Sequence, residues 1–193
     1  MSNKISKSEL RSAGKSARNL LTQEGRELAS GKICATAAHT SLFRSANFIA
    51  CYLATSDEVN CRELIKCAWF MKKRVFVPTI QKNSKLEFVE FLSDTKTSPN
   101  EFSLQEPVDG VKIDSRNLDV VFTPLVAFDS QKNRIGMGGG YYDRTFSFLQ
   151  EDRLALKPKL IGLSFDCQRV ENIVASPWDI PLFDVITETG IVV

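Results

Sequence analysis

Phe48-Ile49-Ala50-Cys51-Tyr52-Leu53 is an unbroken apolar run and reads as a strand buried on both faces. Asn60-Cys61-Arg62-Glu63 follows as a capping-box pattern, and Leu64, Ile65, Ala68, Trp69 and Met71 continue it as a helix. Arg74-Val75-Phe76-Val77-Pro78 is a second short buried strand. Strand, helix and strand in that order make a parallel crossover unit. Outward from it, Asp119 to Pro124 and Leu160 to Phe165 read as further buried strands, Leu86 to Phe91 as a half-exposed one, and Val185 to Val193 as the last. Tyr142 to Leu149 suggests a helix, whereas residues 94–117, punctuated by Pro99, Pro107 and Gly110, look loop-rich. The expected fold class is α/β: one three-layer α/β/α domain over residues 1–193 with a mostly parallel sheet. Ligands in such folds bind beyond the carboxyl ends of the strands, so the loops after Leu53, Pro78, Pro124 and Phe165 should converge on one cleft.

Two helices precede this unit. Ser6-Lys7-Ser8-Glu9 is a capping box, and Leu10, Ala13, Ala17, Leu20 and Leu21 follow at helical spacing as the expected apolar stripe. Lys7, Arg11, Lys15 and Arg18 share another face of that helix. A solvated basic face is the plain reading, although Lys7 and Arg11 stand in the first turns and could reach inward past a sheet end. A second helix is expected over Gln23–Thr40, weakened by Gly25 and Gly31.

The segment richest in chemistry runs Arg134-Ile135-Gly136-Met137-Gly138-Gly139-Gly140-Tyr141-Tyr142-Asp143-Arg144. Glycine lets backbone N–H groups approach a ligand closely, and successive N–H groups in a turn form an anion-binding concavity. A helix starting near Tyr141 would add its dipole. Arg134 and Arg144 can neutralise phosphate oxygens, and Asp143 can hold a divalent cation against them. The segment is a phosphate cradle, yet it lacks the Lys-Ser/Thr pair of a Walker A loop and the glycine spacing of the dinucleotide fingerprint.

Composition excludes several alternatives. A hydrophobic content of 43% with 25% charged residues is that of an ordinary soluble globular protein, and a net charge of +2 argues against bulk nucleic-acid binding. No apolar run reaches bilayer-spanning length and the polar N-terminal stretch lacks an apolar signal core, so the cytoplasm is expected, and a monomer is expected separately. Cys34, Cys51, Cys61, Cys67 and Cys167 contain no Cys-x-x-Cys pair and read mostly as small buried hydrophobes. The lone histidine, His39, falls at a helix end, which excludes an imidazole-built zinc site and disfavours a Ser-His-Asp triad. The chemistry must therefore rest on carboxylates, cations and backbone dipoles.

Taken in order, the sequence resembles the 5-formyltetrahydrofolate cyclo-ligase (methenyltetrahydrofolate synthetase) family. The matching blocks are Lys7 to Arg11, Tyr52-Leu53 through Val59, Phe102 to Pro107, Pro124 through Asp129 and Arg134 to Arg144, and Gln168 to Glu171 with Trp178-Asp179. Ser103 stands where the family usually has glycine, and Trp178 where histidine commonly precedes the aspartate. The resemblance implies the ribose-phosphate isomerase and CoA-transferase type of fold. It also implies ATP- and Mg2+-dependent cyclisation of 5-formyltetrahydrofolate to 5,10-methenyltetrahydrofolate, with release of ADP and phosphate.

Position by position, the resemblance assigns Lys7, Arg11 and Arg134, Ile135, Gly136, Met137, Gly138, Gly139, Gly140, Tyr141 and Tyr142 to ATP. Leu53, Glu58 and Met137 to Tyr141 contact folate, Asp143 and Asp179 hold magnesium, and Arg134, Tyr141 and Asp143 are the candidate catalytic residues. Each has a plainer alternative: Glu58 a favourable charge before a helix, Asp143 a helix cap, Asp179 a turn residue, Tyr142 core packing. The rival functions are a non-catalytic ATP-binding regulatory module on the same fold, and a sugar-phosphate isomerase or CoA-transferase relative.

Overall fold

The computed structural model describes residues 5–152 and 156–192. An eight-stranded sheet runs in the order β12-β11-β10-β7-β1-β2-β3-β6, with β1 Phe48–Ala50, β2 Arg74–Ile80, β3 Leu86–Glu90, β6 Lys112–Ile113, β7 Val120–Pro124, β10 Lys159–Leu163, β11 Asp184–Thr187 and β12 Gly190–Ile191. The five strands β11, β10, β7, β1 and β2 are parallel, and antiparallel strands close both edges. Helices α2 (Gln23–His39), α3 (Ser41–Ser45) and α4 (Arg62–Phe70) contribute to the core on one face around Ile33, Phe43, Leu64 and Phe122. The other face is covered by α5 (Tyr141–Thr145), α6 (Phe148–Glu151) and the stretch holding Ile180 and Leu182, packed on Phe76, Phe88 and Val121. The parallel α/β architecture expected from the buried runs is present.

Several boundaries differ from the sequence expectation. β1 ends at Ala50, because beyond the Cys51 N–H bond to Phe76 the chain turns away and the Tyr52 hydroxyl donates to the Val59 carbonyl. No capping box forms before α4: Asn60 Oδ1 accepts from Arg62 N–H, while Glu63 pairs with Lys66 one turn on. The segment at 94–117 contains a hairpin, β4 (Thr97–Pro99) with β5 (Gln105–Pro107), and the edge strand β6. The helix expected from Tyr142 to Leu149 breaks near Phe146 into α5 and α6, and the C-terminal strand is a hairpin, whose expected last residue, Val193, lies outside the described residues.

Helix α1 (Lys7–Asn19) carries the capping box: Glu9 N–H donates to Ser6 Oγ, and the Glu9 carboxylate accepts from Ser6 N–H at 2.8 Å. Its buried residues are Leu10, Gly14 and Arg18. Ala13 and Leu20, expected in the apolar stripe, face solvent, so the basic side of α1 is the side that faces inward. The cause is a close approach to the hairpin of β8 (Ala127–Phe128) and β9 (Arg134–Ile135), where a Cβ on Gly14 would lie 2.2 Å from the Val126 carbonyl oxygen. Overpacking of this kind costs on the order of 1–3 kcal/mol. Gly14→Ala is therefore expected to lower the denaturant midpoint by a loss of that order, whereas Ser16→Ala on the exposed side of the same helix leaves it unchanged.

Candidate functional site

The carboxyl ends of β1, β2 and β7 open into a cleft of about 1370 Å³, lined there by Tyr52, Leu53, Pro78, Ile80, Pro124, Leu125 and Val126. The loop after Phe165 does not line it. Instead the buried Gln168 amide donates to the Leu125 and Val126 carbonyls from behind, bracing the cleft floor. Single small-molecule sites usually occupy about 300–1,000 Å³, so this one has room for two ligands. A depression of about 400 Å³ beside His39, whose ring Nδ1 lies 2.7 Å from the Ala35 carbonyl, is separate from it.

The glycine loop forms one wall. Gly138 and Gly140 sit at φ +106° and +64°, a region that L side chains rarely adopt, and a Cβ on Gly140 would meet Arg144 Nη1 at 2.8 Å. Arg11 Nε donates to the Gly136 carbonyl at 2.9 Å, and Arg144 donates to Gly139 and Ser84 carbonyls, so two guanidiniums fix the loop backbone. Helix α5 is a single short turn, and its macrodipole is correspondingly small. Side-chain cations supply the positive field instead. Ile135 departs from its expected role: it is buried with Leu10, Ala127 and Ile173 and anchors the loop without lining the cleft.

The remaining expected residues all line the cleft, but several are paired. Arg134 is nearly buried; its Nη2 donates to Asp143 Oδ1 at 2.7 Å and its Nη1 to the Ile180 carbonyl. Asp143 Oδ1 also accepts from Ile180 N–H at 3.1 Å. Lys7 Nζ pairs with Asp179 Oδ2 and donates to Ser176 Oγ at 2.8 Å, and Asp179 Oδ2 accepts from Ser176 N–H at 2.7 Å. Among the described residues no three His, Cys, Asp or Glu side chains cluster as a metal cage. At the other end, Glu58 Oε2 accepts from Thr55 N–H at 3.0 Å. Burial and, after it, the Glu58 charge push the Tyr142 phenol well above its usual range, and its ring stacks on Phe146.

The structure adds residues that the sequence did not single out as functional. Asp57 pairs with Arg18 and accepts from Thr55 Oγ1 at 2.8 Å; burial raises the Asp57 carboxyl, but Thr55 and Arg18 together hold it below its usual range. Phe102 and Trp178 are exposed apolar side chains at the mouth, from the β4–β5 hairpin and the turn before Asp179, beside the expected Met137. The hairpin is tied to β2 by Glu106, whose Oε1 accepts from Ile80 N–H at 2.9 Å. Phe102, Leu104, Gln105 and Glu106 are sequence-distant from the glycine loop, and only strand pairing brings them to the cleft. Cys34, Cys51 and Cys61 are buried as expected, with Cys34 pushed up to about 12 by burial first, whereas Cys167 is exposed.

A family model for the 5-formyltetrahydrofolate cyclo-ligase family matches residues 3–188. This chain belongs to that family. The 5-formyltetrahydrofolate cyclo-ligase of Haemophilus influenzae is 40% identical over 147 residues, covering 74% of this chain and 76% of the relative. That of Escherichia coli K12 is 36% identical over 154 residues, covering 76% and 80%. The NMR structure of Aquifex aeolicus 5,10-methenyltetrahydrofolate synthetase aligns with a TM-score of 0.82 at 26% identity, over 97% of this chain and 92% of that one. A Mycoplasma pneumoniae 5,10-methenyltetrahydrofolate synthetase shares the fold, with a TM-score of 0.75 at 21% identity over 95% and 99%. Among the described residues no helix is long and apolar enough to cross a membrane.

The Arg134–Asp143 pair gives a test of the architecture that needs no ligand. Removing one partner of a buried ion pair costs about 3–5 kcal/mol, and less where water reaches the survivor. Asp143 is a quarter exposed, so Asp143→Ala should destabilise by about 1–3 kcal/mol in chemical denaturation, through the stranded Arg134 charge. A loss indistinguishable from a surface substitution would show that the pair does not anchor the loop.

Proposed function

We propose that this protein converts 5-formyltetrahydrofolate and ATP into 5,10-methenyltetrahydrofolate, ADP and phosphate, acting as a single domain. The observation that carries the reading is the family match over residues 3–188. The two-ligand cleft and its cationic wall agree with it. In the reaction the formyl oxygen attacks the γ-phosphorus and ADP leaves, making an iminium phosphate. The neighbouring folate nitrogen adds to that carbon, closing the ring with loss of its proton, and phosphate departs with the oxygen. Both bond-forming partners belong to the substrates, so the protein's work is alignment, charge neutralisation and exclusion of water.

Each residue has a task in that scheme. The N–H groups of Gly136 to Gly140, with Lys7 and Arg11, receive the phosphate oxygens. Arg134 sits at the base of the same loop, oriented by Asp143, and supports the transferring phosphoryl group. Glu58 accepts hydrogen bonds from the pterin's amino and ring N–H donors, which a carboxylate can take in pairs. Leu53, Met137 and Tyr141 pack on the folate, and Tyr142 closes the cleft.

The acids Asp143 and Asp179 fit a magnesium ion that arrives with the nucleotide. Their hydrogen bonds among the described residues fall on Oδ1 and Oδ2 respectively, leaving one oxygen each, and Mg2+ typically takes one or two carboxylates plus phosphates and water. Bound there, the ion would neutralise negative charge on the transferring phosphate oxygens. The regulatory-module reading has no observation in its favour.

The direct test is the ultraviolet absorbance of the methenyl product after mixing protein, ATP, Mg2+ and 5-formyltetrahydrofolate. Product formation is expected; binding of ATP without turnover would favour the non-catalytic reading. Losing a charge-assisted hydrogen bond to phosphate costs about 1.5–3 kcal/mol, or roughly ten- to a hundredfold. Arg11→Ala should therefore lower kcat/KM for ATP by that factor in a folded variant, and unchanged kinetics would remove Arg11 from the phosphate site. For the pterin end, Glu58→Gln should weaken folate binding in calorimetry more than ATP binding, and the reverse order would cancel the Glu58 assignment.

A further inference from the structure

Arg18 is buried at the C-terminal turn of α1, with 2% of its surface exposed, and yet it lines the cleft. Its Nε is a buried polar atom without a hydrogen-bond partner among the described residues. A buried guanidinium is costly, and apolar residues of similar volume commonly serve stability as well or better. The residue is better understood by what it holds. Nη2 pairs with Asp57 Oδ2. The other oxygen of Asp57 accepts from Thr55 Oγ1 at 2.8 Å, Thr55 N–H donates to Glu58 Oε2 at 3.0 Å, and Glu58 N–H donates to the Thr55 carbonyl at 3.3 Å. A continuous chain of polar contacts thus runs from Arg18 to the Glu58 carboxylate.

The same helix carries Lys7 and Arg11. At about 1.5 Å of rise per residue, Arg18 stands roughly 10 Å along the axis from Arg11 and roughly 16 Å from Lys7. Lys7 is fastened to Asp179 at one end, Arg11 to the Gly136 carbonyl near it, and Arg18 to Asp57 at the other end. Helix α1 therefore spans the cleft as a rigid strut fixed at three points, and Gly14 lets it lie against the Val126 backbone between the last two.

We propose that Arg18 is a positioning residue: through Asp57 it fixes the Thr55–Glu58 turn, and so the carboxylate that receives the pterin, at a set distance from the phosphate grip on the same helix. The proposal rests on the reading of Glu58 as a folate contact. Arg18 acts through Glu58 and touches no substrate itself.

The test is a double-mutant cycle on the full chain with Arg18→Met, Glu58→Gln and the pair. Coupling between residues in one hydrogen-bond network commonly reaches about tenfold. Arg18→Met should raise KM for 5-formyltetrahydrofolate by about that factor and shift KM for ATP by less than about twofold, with a lowered unfolding midpoint because Asp57 loses its partner. In the Glu58→Gln background it should add little. Arg18→Lys, which keeps the charge but loses the fork, should recover part of the folate KM. Equal rises in both KM values, or additive effects of Arg18→Met and Glu58→Gln, would overturn the proposal. Should Arg18→Met fail to fold, Asp57→Asn breaks the same contact from its partly exposed side and is judged by the same cycle. If Glu58→Gln alone leaves folate binding intact, the reading of Glu58 fails; if it weakens binding while Arg18→Met does not, only the positioning role fails.

Discussion

The contact between Gly14 and the Val126 carbonyl sets the rest of the cleft. A helix normally turns its side chains toward a neighbouring backbone and stands off by their length. Here the absent side chain removes that spacer, and α1 lies directly on the segment joining β7 to β8. Lys7, Arg11, Lys15 and Arg18 then line the cavity, on the strip of helix that composition alone would give to water. The absence of a methyl group at Gly14 is what allows this close approach.

Charge in the cleft is arranged before any ligand arrives. Lys7 with Asp179, Arg134 with Asp143, and Arg18 with Asp57 are three ion pairs along its walls, each partly or largely shielded from water. Such pairs add little net stability, because desolvation offsets much of the attraction. They do hold side chains in fixed orientation, so little reorganisation remains when a triphosphate binds. Arg11 forms no ion pair among the described residues and spends its Nε on the loop backbone, which leaves most of its charge for an incoming anion.

The hydrophobic layers explain why this arrangement is rigid. The parallel strands β1, β2 and β7 end beneath the cleft with Ile49, Phe76, Val121 and Phe122 fully buried on the two faces of the sheet. From behind, Gln168 satisfies the Leu125 and Val126 carbonyls, and the buried Asp129 accepts from Gln131, Asn133 and Ile173 N–H groups to pin the β8–β9 turn. The glycine loop departs from this braced hairpin, so its freedom is confined to the few residues that meet a ligand.

The sequence by itself determined the parallel α/β class, because runs such as Val120 to Phe122 are apolar at every position and only a sheet covered on both faces buries them so. It determined the glycine loop and the Ser6–Glu9 cap as well, since both are written in contiguous residues whose backbone chemistry is local. It also carried the family, through short blocks in a fixed order. Tertiary structure alone decided that the basic stripe of α1 faces inward, that Ile135 is an anchor, that the 94–117 segment lends a hairpin to the cleft, and that Arg18 reaches Asp57 across 39 residues of chain. These depend on close approach and pairing between distant segments, and no local periodicity encodes how near two backbones will come.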